Sequence, residues 1–127
     1  MDTYEYWDGG DWSGNLADAV EIVPAPVGEL SVAWNDYLGR WIMIYLDEPQ
    51  RGLVIRDAPA LTGPWSETQM LVDSADYPSL YGSYLHPLAR SGETIYFNMS
   101  QWGPYNVMLM RARLVSSRDA AATAEAP

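Results

Sequence analysis

An internal repeat in the second half of the chain constrains the fold more than any other feature. A shift of 53 residues superposes three strand-like runs and two short loops in the same order, with these pairs: Gly39 on Gly92, Ile42 on Ile95, Ile44 on Phe97, Asp47 on Ser100 and Val54 on Val107. A period near 50 residues, with three or four antiparallel strands per unit, is typical of one β-propeller blade. The repeat therefore predicts an all-β chain of propeller blades, each an antiparallel four-stranded sheet. Chance similarity between two hairpins is the alternative.

Two of the predicted strands are apolar on both faces. They are the runs WIMIYL (41–46) and VMLM (107–110). A strand in an antiparallel sheet with one face in water would instead alternate between apolar and polar residues. We therefore expect both faces of these sheets to be covered, as neighbouring blades cover each other.

Alternation, turn residues and prolines divide the chain into short strands and four segments. The predicted strands are 3–7, 19–23, 30–34, 41–46, 53–56, 68–72, 84–88, 94–99 and 107–114. The predicted segments are the end of a preceding blade (1–27), a blade (28–75), a final blade without its closing strand (76–115) and a disordered tail (116–127).

Two blades and one additional strand pair do not close a propeller, which needs about four blades or more. The open apolar faces would exceed what a monomer usually exposes to water. We therefore expect either further blades upstream in a longer protein, which we prefer, or self-association of the chain. As a fragment, the chain is expected to lack enzymatic activity by itself.

Charge and composition exclude several classes of function. The net charge is −10, and all seven basic residues are arginines, so no basic stripe exists for nucleic acid or an anionic membrane. Without cysteine there are no disulfides or thiolate metal sites, and no apolar run is long enough for membrane insertion. Six Trp and nine Tyr make up nearly all the aromatic residues, which suits either sugar binding or an ordinary β-sheet core.

Four motifs in sequence order carry a resemblance to a known family. They are GELSVAWNDYLGRWIMIY (28–45), ALTGPWS (60–66), YGSYLHP (81–87) and SQWGPYNVMLMRARL (100–114). The segment from Gly28 to Leu114 resembles the C-terminal part of the bacterial DUF4185 family, a domain of unknown function. That family is similar to five-bladed glycosidase propellers, and members are assigned to glycoside hydrolase family 183, the endo-D-arabinanases.

The resemblance implies a function for the longer protein. It implies hydrolysis of an arabinose-containing cell-wall polysaccharide, an extracellular or cell-envelope location with a signal upstream, and two catalytic carboxyl groups. At least one of those carboxyl groups is expected in N-terminal blades that this chain lacks.

Glu29 and Asp47 are the best-placed carboxylates within the chain for a catalytic pair. Both lie in loops expected at one end of the propeller channel, and glycoside hydrolysis needs two suitably spaced carboxyl groups. Solvated loop carboxylates, or groups that only bind sugar hydroxyls, are the alternatives.

Five further residues are predicted to bind substrate: Arg51, Tyr84, His86, Trp102 and Tyr105. Aromatic rings stack on the apolar faces of sugar rings, and arginine and histidine donate hydrogen bonds to hydroxyl groups. Core packing for Tyr84 and a structural role for His86 are the alternatives. No metal or cofactor is expected, although a channel cation such as calcium is compatible with the pattern.

Two other functions remain open on the sequence alone. One is a carbohydrate-binding propeller segment without catalysis. The other is a small β-sheet interaction protein that completes its core by forming oligomers.

Overall fold

The computed structural model of the chain describes residues 4–88 and 90–116. Within them the fold is all-β with antiparallel sheets, which confirms the predicted class. The strands are β1 (Tyr6–Trp7), β2 (Trp12–Ser13), β3 (Leu30–Asn35), β4 (Arg40–Asp47), β5 (Gly52–Ala58), β6 (Gln69–Asp73), β7 (Leu80–Leu85), β8 (Thr94–Gln101) and β9 (Asn106–Arg113). One 3-10 turn spans Leu16–Asp18. No helix in these residues is long and apolar enough to cross a membrane.

The first large sheet is a meander of four strands in the order β3-β4-β5-β6. This is the topology predicted for a blade. Ile44 of β4 lies between Ser31 of β3 and Ile55 of β5, which fixes the register of the central strands. A tight turn at 36–39 joins β3 to β4, and Gly39 (φ +63°) adopts the left-handed conformation that the turn requires.

The second sheet has the order β7-β8-β9 in the described residues. The register of β7 against β8 shifts between Tyr81 and Ser83, so Gly82 (φ +56°) forms a bulge. Such bulges bend a strand and redirect the neighbouring side chains.

The structural repeat is one position longer than the repeat predicted from the sequence. β8 begins at Thr94 where β4 begins at Arg40, and β9 begins at Asn106 where β5 begins at Gly52, so both pairs of strands correspond to a shift of 54. Eight residues separate β7 from β8, whereas four separate β3 from β4. The shift of 53, which aligned Gly39 with Gly92, is therefore wrong within the strands. A one-residue slip moves every side chain to the opposite face of a sheet.

With the corrected shift, equivalent faces of the two sheets have equivalent surroundings. Met43 becomes equivalent to Phe97, and Tyr45 to Met99. Met43 and Tyr45 pack against Val23, which precedes the first sheet in the chain, and Phe97 and Met99 pack against the first sheet itself. Each sheet therefore packs the same face against the part of the chain that comes before it in sequence, as neighbouring blades do.

The main core lies between the two large sheets and includes Ile42, Ile44, Phe97 and Met99. Because the other face of β4 is also covered, the prediction that 41–46 is buried on both faces is confirmed. The same prediction for 107–110 is wrong within this chain. Met108 and Met110 pack on the core, but Val107 and Leu109 on the outer face of the second sheet are mostly exposed.

The N-terminal segment differs most from the prediction. Of the predicted strand 3–7, Tyr6–Trp7 is a strand, and residue 3 lies outside the described residues. Residues 11–15, which lie outside the predicted strands, contain β2, which pairs with β1. The predicted strand 19–23 is not a strand, because β1 already pairs with β2 and this segment is joined to the hairpin through the Val20 amide, which donates to Trp7 O (3.0 Å).

Two further predictions concern the second sheet and the tail. The strand predicted over 84–88 is displaced to Leu80–Leu85, and Pro87, which has no amide hydrogen to donate, lies in the turn that follows. Of the predicted tail, 117–127 lies outside the described residues.

Candidate functional site

One end of the two large sheets gathers most of the predicted site residues. Gly28 donates a backbone hydrogen bond to Leu46 O (3.1 Å), which places Glu29 beside the end of β4. Leu80 pairs with Gln101, so the start of β7 and the turn 102–105 lie together. β3 and β7 are in contact, and the Leu85 amide of β7 donates to Ser31 Oγ of β3 (3.1 Å). We call this end, with Glu29 and the turns 48–51 and 102–105, the Glu29 end.

Glu29 and Tyr81 interact at this end. The Glu29 carboxylate is near the Tyr81 phenol, and its hydrogen-bonding interaction and its charge raise the pKa of Tyr81 above its ordinary value. Tyr105 is close enough to add a smaller electrostatic effect in the same direction. The raised pKa favours the protonated phenol, so Tyr81 remains a hydrogen-bond donor at neutral pH.

Three aromatic rings at this end are open to solvent. Tyr84, Trp102 and Tyr105 are 55%, 64% and 91% exposed. The Trp102 amide donates to Ser79 O (3.0 Å) and anchors the turn. Tyr105 has a left-handed backbone (φ 57°), which is uncommon for a bulky residue. Exposed rings of this kind offer the apolar faces on which a sugar ring stacks.

Asp47 lies at the same end but has a local role. It is 7% exposed, its Oδ1 accepts from the Gln50 amide (2.9 Å) and its Oδ2 from Gln50 Nε2 (3.0 Å). Both carboxylate oxygens therefore hold the turn between β4 and β5.

Arg51 occupies the position in its turn that Tyr105 occupies in the second turn. The two residues are equivalent at the corrected shift, and both have left-handed backbones (φ 59° and 57°). The Arg51 amide donates to Glu48 O (3.1 Å) and its carbonyl accepts from Ser74 N (2.9 Å). The structure thus places the exposed Arg51 at the Glu29 end.

His86 lies beyond the end of β7, two residues after Tyr84. It follows β7, its amide donates to Tyr96 O (2.9 Å), and its ring Nδ1 accepts from the Leu88 amide (3.3 Å). Five strand positions separate it from Tyr81, roughly 17 Å at about 3.4 Å per residue. The structure therefore does not bring His86 to the Glu29 end.

A shallow groove of about 220 Å³ opens beside Glu29. Its other lining residues are Gly82, Ser83, Tyr84, Asn98 and Ser100. Asn98 is not predicted from the sequence as a site residue. The signal that identifies it is its equivalence to the buried Ile44, which becomes visible only at the corrected shift.

The chemistry available at the Glu29 end is that of a site for polyhydroxylated molecules. One carboxylate accepts hydrogen bonds, serine and asparagine side chains donate and accept them, and the rings offer apolar faces. The described residues contain no group of three or more His, Cys, Asp or Glu side chains arranged to hold a metal ion.

Two fungal proteins are similar to this chain. Notoamide biosynthesis cluster protein J of Aspergillus sp. (strain MF297-2) is 36% identical over 100 residues, which cover 76% of this chain and 26% of that protein. Notoamide biosynthesis cluster protein J' of Aspergillus versicolor is 37% identical over 101 residues, covering 76% and 27%. The chain thus spans about a quarter of the length of these relatives.

The family comparison extends further along the chain than the four motifs do. The family model described as "Domain of unknown function (DUF4185)" matches residues 1–111, so the N-terminal segment before Gly28 is included. The match covers most of the chain, and it shows that this protein belongs to the DUF4185 family.

Proposed function

We propose that the chain is part of a longer glycoside hydrolase of the endo-D-arabinanase type, and that its Glu29 end binds an arabinose-containing polysaccharide. The observation that carries this proposal is an exposed carboxylate, Glu29, which interacts with Tyr81 and lies at the same end of the sheets as several solvent-exposed aromatic rings. An acidic chain with net charge −10 favours a neutral glycan over an anionic one.

Glu29 is the carboxylate in this chain that we assign to hydrolysis. The Glu29 carboxylate is open to solvent and interacts with the Tyr81 phenol. Asp47 is a weaker candidate than the sequence suggests, because Gln50 already occupies both of its oxygens. Since the reaction needs two carboxyl groups, we place the second in another part of the longer protein. This chain alone is then inactive.

The outer face of the second sheet supports a longer protein. At the corrected shift, Val107 and Leu109 correspond to Leu53 and Ile55 of the first sheet. The second sheet covers Leu53 and Ile55. A further blade of the longer protein would cover Val107 and Leu109 in the same way, and self-association of this chain is the alternative occupant. The extracellular or cell-envelope location follows from the family resemblance and is a proposal, as is the absence of a resident cofactor.

Two other functions fit some of these observations. A carbohydrate-binding segment without catalysis needs only the aromatic rings and the groove. The names of the Aspergillus relatives refer to a notoamide biosynthesis cluster, so a compound of such a biosynthesis is a second ligand class for the same aromatic surface.

Hydrolysis by the longer protein tests the proposal. On arabinogalactan, Glu29→Gln is expected to lower kcat by roughly 10²- to 10⁴-fold, because the amide neither donates nor accepts the transferred proton. Asp47→Asn is expected to keep kcat and lower the melting temperature, because it disturbs the turn that Gln50 caps. Glu67→Gln, at another exposed glutamate, is the matched control.

Three results would change the assignment. Full activity of Glu29→Gln would remove Glu29 from the chemistry. A loss of kcat in Asp47→Asn at unchanged stability would restore Asp47 as the catalytic carboxylate. Binding without hydrolysis by the unmodified longer protein would favour the carbohydrate-binding function.

A further inference from the structure

The outer edge of β9 is open among the described residues. The second sheet has the order β7-β8-β9, so β8 occupies one edge of β9 and no described strand pairs with the other edge. In the first sheet the equivalent strand, β5, lies between β4 and β6, so both of its edges are paired. The two sheets of the repeat therefore differ by one strand, and the position that this strand would take is beside β9.

The backbone of every second residue of β9 points to this open edge. The Leu114 amide, just after β9, donates to Glu93 O (2.7 Å) beside the start of β8. Because hydrogen-bonded and non-hydrogen-bonded pairs alternate along antiparallel strands, the residues of β9 that are in phase with Leu114 bond to β8. The N–H and C=O groups of the residues between them, Val107, Leu109 and Arg111, therefore point away from β8.

The equivalent positions of the first sheet are bonded to a fourth strand and the segment that leads into it. Leu53 and Ile55 of β5 pair with β6. Asp57, the equivalent of Arg111, accepts from the Ser66 amide at its carbonyl (2.8 Å), and its own amide donates to Ser66 Oγ (3.0 Å). A strand that paired with β9 in the same way would satisfy all three positions of the open edge.

β9 also lacks the features that protect an exposed edge strand. Such strands are usually short, bulged or interrupted by proline, because unpaired backbone groups otherwise pair with another strand. β6, the edge strand of the first sheet, has five residues and a register shift against β5. β9 has eight residues, a continuous register against β8 and no proline, and Val107 and Leu109 beside its open edge are exposed. This edge is therefore suited to pairing with a further strand.

An open groove between the two sheets adjoins the C-terminal end of β9. Its volume is about 1400 Å³, and its apolar lining residues include Ile55 and Leu71 of the first sheet and Ala112 and Leu114 of the second. Because burial of apolar surface is favourable, this lining favours a strand with bulky apolar side chains on the face that is turned toward the first sheet. β6 has such side chains in the first sheet, where Leu71 and Val72 contribute to the main core.

The composition of the chain indicates where such a strand comes from. The sequence that follows the described residues, SRDAAATAEAP (117–127), contains no Val, Ile, Leu, Met or aromatic residue, so it lacks the side chains that suit the groove. The segment that matches each Aspergillus relative covers about a quarter of that relative. A longer protein of that size has ample chain to supply the strand.

We propose that the open edge of β9 binds a β-strand from another part of the longer protein, which pairs antiparallel with residues 106–109 and completes a four-stranded sheet like the first. The strand has bulky apolar residues at alternate positions, on the face turned toward the first sheet. It lies in the plane of the second sheet, whereas a further blade would stack on Val107 and Leu109. The inference rests on the longer protein proposed above, and it does not depend on sugar binding or hydrolysis.

Hydrogen–deuterium exchange at single-residue resolution tests this pairing. In the 127-residue chain, the amides of Val107 and Leu109 are expected to exchange at least about 100-fold faster than those of Met108 and Met110, which bond to β8. In the longer protein, the amides of Val107 and Leu109 are expected to exchange at least about 100-fold more slowly than in the chain alone. Equal rates for these two amides in both proteins would overturn the proposal, whether or not the longer protein hydrolyses a polysaccharide.

A proline variant separates strand pairing from coverage of the outer face. Leu109→Pro removes an N–H that points outward, whereas Leu109→Ala shortens the side chain and keeps that N–H. In the 127-residue chain the two variants are expected to melt within about 3 °C of each other, because an edge strand tolerates proline where its N–H faces solvent. In the longer protein Leu109→Pro is expected to melt at least about 5 °C below Leu109→Ala, because a ladder hydrogen bond is lost. Equal melting temperatures there would mean that only the face is covered.

Two other occupants of the edge would be recognised in the 127-residue chain. Slow exchange of Val107 and Leu109 that appears only at high chain concentration would identify a second copy of the chain as the partner. Slow exchange at every concentration that is lost when residues 117–127 are removed would identify that segment. Either result would overturn the assignment of this edge to another part of the longer protein.

Discussion

Asn35→Asp is expected to destabilise the chain by about 3–5 kcal/mol. The Asn35 side chain is fully buried, and its amide donates to Arg90 O (2.7 Å) and Gly92 O (3.0 Å) while its oxygen accepts from the Leu38 amide (2.9 Å). It therefore joins the end of β3 to the segment that precedes β8. Aspartate would replace a donor to two carbonyl oxygens by a buried negative charge.

Urea unfolding followed by circular dichroism at neutral pH measures this loss. Asn106→Asp is the matched control, because it makes the same chemical change at an exposed asparagine. Ordinary surface substitutions change the free energy of unfolding by no more than about 0.5 kcal/mol. If Asn35→Asp differed from the control by no more than that, Asn35 would not hold the two sheets together.

Phe97→Ala is expected to lower the free energy of unfolding by about 3–5 kcal/mol. Phe97 is 1% exposed and lies in the core between the sheets, opposite Leu85 of β7 and Met110 of β9. The smaller residue loses the transfer free energy of the ring and leaves a cavity between two sheets that cannot fully close it.

Tyr96→Ala is the control for Phe97, because the two residues are adjacent and point to opposite faces of β8. Tyr96 is the equivalent of Ile42 at the corrected shift, but it lies on the outer face of the second sheet and is only partly buried. We expect this variant to lose less than about 1 kcal/mol in the same urea titration. A larger loss for Tyr96→Ala than for Phe97→Ala would mean that the faces of β8 are reversed.

The predictable part of the fold is the part set by local pattern. The runs that became β3, β4, β5, β8 and β9 were predicted to within two residues at each end, because alternation and apolar content define a strand without knowledge of its partner. The shift of the repeat was wrong because it depends on a loop length, which glycine alignment does not determine. The prediction of a strand over 19–23 was wrong, because a short apolar run forms a strand only where a neighbouring strand has unpaired backbone groups.

The loops that form the candidate site could be predicted from the sequence, but the individual contacts between their residues could not. Glu29, Tyr84, Trp102 and Tyr105 meet at one end, as expected from the order of strands and turns. The position of His86 depends on where β7 ends, which is five residues after Leu80. The interaction between Tyr81 and Glu29 joins β7 to the segment before β3, so no pattern along the chain indicates it.

The central claim is that sugar binds this chain at the Glu29 end, and binding of an arabinan oligosaccharide measured by calorimetry tests it most directly. We expect Trp102→Ala and Tyr105→Ala each to weaken binding by roughly two- to tenfold through loss of a stacking face. Tyr4→Ala, at an exposed tyrosine before β1, should bind as the unchanged chain does. Unchanged affinity in both Glu29-end variants, or a greater loss in Tyr4→Ala, would contradict the claim.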